Sequence, residues 1–435
     1  MTVTVPPVTV SPATTAPPRP GLAERLAALG EALDGELLRG DPDRAIYATD
    51  ASEYQERPLA VALPKTDADV QKLVRFAAAE RIGIVPRGAG TSLAGQVVGG
   101  GIVVDLGRHM NRIVALDAGR RRVRVQPGVV RNDLNRFLAP HGLFFGPETS
   151  TASWAMIGGM VGNNSCGSNS IAYGSTRDHL ISARGFLADG SEALFAPLGA
   201  EELAARCAGD DSLERRIHAG LRDLLSDPAT RDLVRRSFPK PEVTRRNTGY
   251  PLDALMDAAP LDPASDRPFN ICRLLAGSEG TLFVGVEFEL DLIPLPPPGA
   301  LLVAHCHGVD EALRGAVVVM HAGRTAAVAA GAQLTGCELI DDKILACTKD
   351  NPEQARNRSF VVGEPGAVLV VEVRHADAAR RGAVLDRIEA ALGAAGIGYA
   401  FPRLEGRDAE KVWELRRAGQ GLVQNIPGDK KPREI

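Results

Sequence analysis

The sequence is poor in aromatic residues: Phe, Trp and Tyr make up 4% of its 435 positions. That argues against the stacking platforms on which single-stranded nucleic acid is bound. The net charge of -4 and the lack of any basic run likewise leave no positive footprint for a nucleic-acid backbone or an anionic membrane surface. No apolar run reaches the length of a membrane span. The six cysteines (Cys166, Cys207, Cys272, Cys306, Cys337, Cys347) include no CxxC pair. Neither a disulfide framework, a zinc site nor an iron-sulfur cluster is legible in them, and free buried thiols are expected. Residues 1–20, rich in Pro, Thr and Val, lack the basic start and apolar core of a signal peptide and read as a disordered tail. The default compartment is the cytoplasm, with peripheral attachment to the inner face of the membrane as the variant.

Hydrophobic content of 44% and charged content of 24% are those of a globular protein, and the length calls for two or three domains. Residues 21–39 carry Leu22, Leu26, Leu29, Leu33 and Leu37 at helical spacing; residues 41–56 read as an extended lead-in. From Leu59 strand and helix alternate. LAVALP is a strand, and the helix after it is capped by Thr66 with Asp69 three residues on. IGIVP and GIVVDL are strands flanking the loop PRGAGTSLAGQ. That loop fails as a dinucleotide fingerprint, because Leu93 stands where the third glycine belongs and no helix follows. It remains either an anion-binding nest of main-chain N–H groups or an ordinary loop. Further on, RIVALDAGRRRVRVQ gives two strands, an amphipathic helix ends near Gly142, a hairpin turns across Asp189 and Gly190, and a charged helical region precedes Pro239. The loop GSEGT leads into a strand alternating through Val284, Val286, Phe288 and Leu290. Prolines at 294–298 mark a domain boundary, beyond which the order β-α-β-β-α predicts an antiparallel sheet.

One stretch, 144–180, departs from these periodicities. Gly158, Gly159, Gly162, Gly167 and Gly174 permit close backbone approach or positive φ, while Asn163, Asn164, Ser165, Ser168 and Asn169 supply uncharged donors and acceptors. Fourteen of its 37 residues are apolar, including Met156, Ile157, Met160 and Val161, so it is unlike a solvated loop. A buried polar backbone needs partners, and a large polar cofactor could provide them.

The three loops PRGAGTSLAGQ, IGGMVGNNSCGSNSIAYG and GSEGTLFVGVEFELDLIP resemble, in this order, the FAD-binding oxidoreductases of the vanillyl-alcohol oxidase superfamily with their PCMH-type flavin domain. Within it the resemblance is to the D-lactate, glycolate and D-2-hydroxyglutarate dehydrogenases, particularly the long proteins that join a flavin module to an iron-sulfur domain. It implies an α+β fold: a two-lobed flavin domain at 57–294, after a lead-in at 21–56, then an α+β substrate (cap) domain at 295–435. It also implies non-covalent FAD, since no His occurs between Arg87 and Gln96. Arg87, Gly88, Ala89, Gly90, Thr91 and Ser92 would cradle the pyrophosphate with Gln96 close by. Pro147, Thr149, Gly158, Gly159, Asn163, Asn164, Ser165 and Gly174 would line the ribityl chain and ring, and Glu279, Gly280 and Thr281 would close the pocket. Arg416, in KVWELRRAG, matches the family arginine of a W-x-x-R motif that grips the substrate carboxylate; the plainer reading is a solvated arginine. Lys431, or Lys430, would meet a second carboxylate.

By the same resemblance the chain ends at KKPREI within the substrate domain, before the family's paired histidines and cysteine clusters. A shortened protein, a fragment or half of a split enzyme is therefore expected, with any iron-sulfur cluster in a missing or partner segment. His305 and His307 form an HxH on a strand, read as part of a half-buried strand edge rather than a metal site. The implied activity is FAD-dependent dehydrogenation of a D-2-hydroxy acid. Electrons would pass to a quinone, cytochrome or iron-sulfur partner, because no nicotinamide motif is present. The alternatives are a flavin-binding chain without catalysis of its own, and a flavin reductase of cell-wall precursor synthesis.

Overall fold

A computed structural model describes residues 21–240, 242, 243, 245, 246, 249–349, 351–424 and 426. The expected tail at 1–20, and Lys430 and Lys431, lie outside them.

The first lobe is a four-stranded sheet with spatial order Glu36–Leu38, Ala60–Leu63, Ile102–Asp105, Ile84–Arg87. Its last three strands are parallel, and Arg87 pairs with Asp105 at the end where the first glycine loop leaves the sheet. Helix Asp67–Glu80 packs Val70, Leu73 and Val74 onto it. The cap box of this helix forms as its sequence predicts: the Thr66 side chain accepts from the Asp69 N–H. Asp69 is fully buried, and its carboxylate accepts main-chain N–H groups from Asp34, Gly35, Lys65 and Thr66.

That knot corrects the expected helix at 21–39. The helix stops at Ala32, the N–H groups of Asp34 and Gly35 turn in to Asp69, and Leu37 enters the edge strand Glu36–Leu38. Only glycine fits at the turn, since a Cβ on Gly35 would stand 2.2 Å from the Leu63 carbonyl oxygen. The lead-in at 41–56 is not all extended either: Asp41–Ile46 is a short helix with Pro42 in its first turn, where a missing N–H costs nothing.

The second lobe is an antiparallel sheet ordered Ile113–Asp117, Arg122–Val125, Val284–Asp291, Leu180–Phe186, Glu192–Phe195. The long strand after GSEGT is thus its centre, and the Asp189–Gly190 hairpin forms its far edge. A core around Phe145, Ile157, Phe195 and Phe269 joins this sheet to the surrounding helices.

Beyond the prolines, a third sheet is antiparallel throughout, ordered Gln333–Asp341, Ala367–Arg374, Gly299–Cys306, Arg403–Glu405. Its two central strands bury both faces. Leu302, Leu369 and Val371 meet helix Ala378–Ala394, while Leu301, Val303 and Val370 meet helix Gly406–Gln424 through Val412 and Leu415. Helices Asp342–Lys349 and Pro352–Ala355 interrupt the expected direct β-β step. His305 sits on an interior strand rather than an edge and is fully buried. Its Nε2 accepts from the Val362 N–H at 3.1 Å and its Nδ1 faces the Val303 carbonyl at 3.0 Å, so both ring nitrogens are occupied in a neutral imidazole.

Candidate functional site

The three glycine loops converge on a cleft between the two lobes. From the first loop come Arg87, Gly88, Ser92 and Gln96; from the second Gly158, Gly159 and Asn163; from the third Ser278, Glu279 and Gly280. Leu106, Val161, Leu275, Phe283 and Phe288 line its apolar part.

The first loop is held open from behind. Gly90 has φ +67°, and a Cβ there would meet the Arg87 guanidinium at 2.4 Å. Arg87 lies under the loop: Nη1 donates to the Thr49 carbonyl at 2.8 Å, and the cation stands 5.2 Å from the Tyr47 ring centroid. Tyr47 donates to Asp105 at 2.6 Å; burial, then that hydrogen bond, push its hydroxyl well above the usual phenol range. Burial lowers the Arg87 pKa while Asp105 opposes the shift.

The second loop is a short helix, Ile157–Asn163, laid against Pro127, where a Cβ on Gly158 would come within 2.6 Å. At Gly159 a Cβ would meet nothing within 4 Å, although this residue lines the cleft. Asn164 ends the helix in the left-handed region, at φ +49°, and its Oδ1 accepts from the Arg177 N–H. Glu279 (φ +53°) and Gly280 (φ +74°) bend the third loop towards Pro86. Gln96 joins all three loops, its Nε2 donating to Asn163 Oδ1 and Glu279 Oε1 at 2.9 Å each.

Among the described residues, the main-chain N–H groups of Gly88, Ala89, Gly90, Thr91, Ser92, Gly159 and Gly280 donate no hydrogen bond within the chain. A run of unused N–H groups around a positive-φ glycine is a nest for a phosphate anion. With an apolar floor and a glycine that leaves its side-chain volume free, the donor set fits a dinucleotide cofactor such as FAD.

A second chamber, of about 610 Å³, lies between the 144–180 stretch and the third sheet. Glu148, Thr149, Gly167 and Asn169 line one side; Glu372, Arg374, Trp413, Arg416 and Arg417 line the other. Arg416 Nε and Nη2 both donate to Glu338 Oε2, at 3.0 and 2.7 Å, and among the described residues Nη1 donates to none. One edge of the guanidinium is thus occupied and the other is available to a ligand. Glu372, nearly fully buried, accepts from Asn169 Nδ2 at 2.9 Å, Thr335 Oγ1 at 2.7 Å and Arg374 Nη2 at 2.8 Å.

Not every expected residue lines a chamber. Ser165 is buried and receives the Asn163 amide, and the Pro147 carbonyl accepts from Arg131 Nε at 3.0 Å. Gly174 turns beside Asp178, away from both chambers, and Thr281 is taken up by Tyr250 and the Ser278 carbonyl. Pro127, Glu338, Glu372 and Arg374 were not singled out in the sequence, and an isolated Glu on a strand carries no signal that could have found them.

The FAD binding domain family matches residues 58–193. Over 95% of its length the chain is 33% identical to D-2-hydroxyglutarate dehydrogenase of Pantoea ananatis, of which it covers 40%. Over 62% of its length it is 37% identical to glycolate oxidase subunit GlcD of Bacillus subtilis, covering 44% of that protein. The chain therefore spans less than half the length of either relative. In fold it is similar to alkyldihydroxyacetonephosphate synthase, with a TM-score of 0.62 at 14% identity over 94% of this chain and 65% of that one. Residues 58–193 thus match an FAD binding domain, the chain is similar to part of D-2-hydroxyglutarate dehydrogenase and of glycolate oxidase subunit GlcD, and its fold is like that of alkyldihydroxyacetonephosphate synthase.

Proposed function

We propose that the chain is the flavin-bearing part of a dehydrogenase of D-2-hydroxy acids, among them D-lactate, glycolate and D-2-hydroxyglutarate. The observation that carries this reading is the free edge of Arg416, presented in a chamber whose opposite wall belongs to the same stretch that lines the flavin cleft. When bound, FAD supplies the hydride-accepting ring. The first loop and Gly159 hold its phosphates through main-chain N–H groups, Gln96 clamps the loops around it, and Arg416 takes the substrate carboxylate as a bidentate pair. Lys431 is assigned a second carboxylate by its place in the sequence. Electrons leave to an acceptor outside this chain, and the proposed compartment is the cytoplasm; among the described residues no helix is long and apolar enough to cross a membrane.

The test is spectroscopic. The purified chain, reconstituted with FAD, is mixed anaerobically with each of the three acids, and bleaching of the flavin band near about 450 nm identifies the substrate. A colourless protein that does not take up FAD would refute the reading. The flavin cradle is drawn from residues 86–288 and the carboxylate grip from the third sheet's helix. A yellow protein that none of the acids bleaches would therefore favour the second reading, a flavin-binding chain without catalysis of its own.

A further inference from the structure

The second lobe holds another cavity, open to solvent and about 1670 Å³, that shares no lining residue with either chamber. Its walls are helix Pro228–Ser237, Arg245, Arg246, residues 253–257 and the short helices Thr176–His179 and Cys272–Leu275. Six arginines line it (Arg177, Arg235, Arg245, Arg246, Arg267, Arg273) against three aspartates. In a chain of net charge -4 this is a local reversal of sign.

The aspartates are already engaged. Asp253 pairs with Arg246, Asp257 lies 3.7 Å from Arg267, and Asp178 accepts the Ser175 N–H and hydroxyl at 2.8 and 3.0 Å. Arg177 spends its donors on the main-chain carbonyls of Arg273, Arg246 and Ala276, at 2.9, 3.2 and 2.8 Å. Among the described residues, the guanidinium groups of Arg235 and Arg273 have no hydrogen bond and no ion pair. Arg273 is half-buried; that burial, and then the neighbouring Arg267 cation, weaken its hold on its proton. Arg235 and Arg267 are exposed and Arg273 is half-buried within reach of Asp178, so the cavity carries more positive than negative charge, and a bound anion would supply acceptors to the two guanidinium groups that have none.

We propose that this cavity binds a small, multiply charged oxyanion, gripped by Arg235 and Arg273 with Arg267 alongside. Planar guanidinium forks suit clustered phosphoryl or carboxylate oxygens, and six arginines against three aspartates favour a di- or trianion over a monoanion. The Arg177 N–H donates to Asn164 at the end of the cleft helix, so the occupied cavity also braces the second loop from behind.

Calorimetric titration and thermal melting with inorganic pyrophosphate and with citrate test the proposal, on the wild-type chain, on Arg235→Gln/Arg273→Gln and on Arg416→Gln, each loaded with FAD so that the phosphate nest of the cleft is filled. At least one probe should bind the wild type and raise its melting temperature. The double variant should lose at least tenfold in affinity, and Arg416→Gln should bind as the wild type does. The probe that binds more tightly tells a phosphoryl from a polycarboxylate ligand. Without a probe, the double variant should melt no lower than the wild type, because it relieves repulsion. Failure of both probes to bind, retention of binding in the double variant, or a double variant several degrees less stable on its own would each overturn the proposal.

Discussion

Both Nε and Nη2 of Arg416 donate to a single oxygen of Glu338, at 3.0 and 2.7 Å, which fixes the plane of the guanidinium and, among the described residues, leaves its Nη1 edge without a partner. Glu338 does not line the chamber and so acts on a ligand only through Arg416. Charge-assisted bonds of this kind are worth about 1.5–3 kcal/mol. Glu338→Gln is expected to raise KM for the hydroxy acid about tenfold with a smaller change in kcat, Glu338→Asp to recover part of the loss, and Arg416→Gln to raise KM about a hundredfold. Equilibrium dialysis with labelled glycolate gives the same ranking without turnover.

Gly159 separates cofactor binding from folding. A Cβ there meets nothing within 4 Å, and the residue lines the cleft. Gly159→Leu should therefore leave the melting temperature unchanged or slightly raised, since it removes a glycine from a helix, while FAD affinity falls at least tenfold by fluorescence titration. Gly90→Val should do the reverse first: its positive φ and the Arg87 guanidinium behind it put the cost, about 1–3 kcal/mol, into the fold.

Glu372 ties the third sheet to the 144–180 stretch through Asn169 and is itself neutralised by Arg374. Glu372→Ala would leave Arg374 without its counter-charge and Asn169 with only the Thr335 carbonyl as acceptor. A loss of about 3 kcal/mol is expected by denaturant titration. The flavin cleft, drawn from other residues, should retain FAD in this variant.

Acid should weaken the fold in two windows. Burial lowers the pKa of His305 below its ordinary value, outweighing its main-chain hydrogen bonds, so the folded protein holds it neutral. The stability this contributes is present above the unfolded value, near 6.5, and is lost as pH falls through the lower folded value. Asp69 behaves likewise at lower pH. Burial alone would raise its pKa, but the main-chain N–H groups it accepts outweigh that and hold it below the ordinary carboxylate value. Its contribution is present above about pH 4 and drains away as pH drops further. Melting curves from pH 8 to 3 should show both declines, with His305→Gln reducing the first, to which the buried His218 also contributes, and Asp69→Asn reducing the second.

The sequence by itself determined the parts whose cause is local. Hydrophobic period fixed the strands and helices of the flavin lobes, the Thr66 and Asp69 pair fixed a helix start, and glycine content marked the three loops that form the cleft. Only the tertiary structure decided what depends on contacts between distant segments. Helix 21–39 ends early because its turn is captured by a carboxylate 35 residues away in the chain. Asn164 and Ser165, expected at the flavin, are consumed in holding the loop that presents Gly159. Arg416 was legible as a cation, but which of its edges a ligand can reach was not, because that depends on Glu338, 78 residues away in the chain and brought to it by the packing of helix Gly406–Gln424 on the third sheet. A single Glu or Arg has no period and no motif; its role arises from its neighbours in space, which the fold alone supplies.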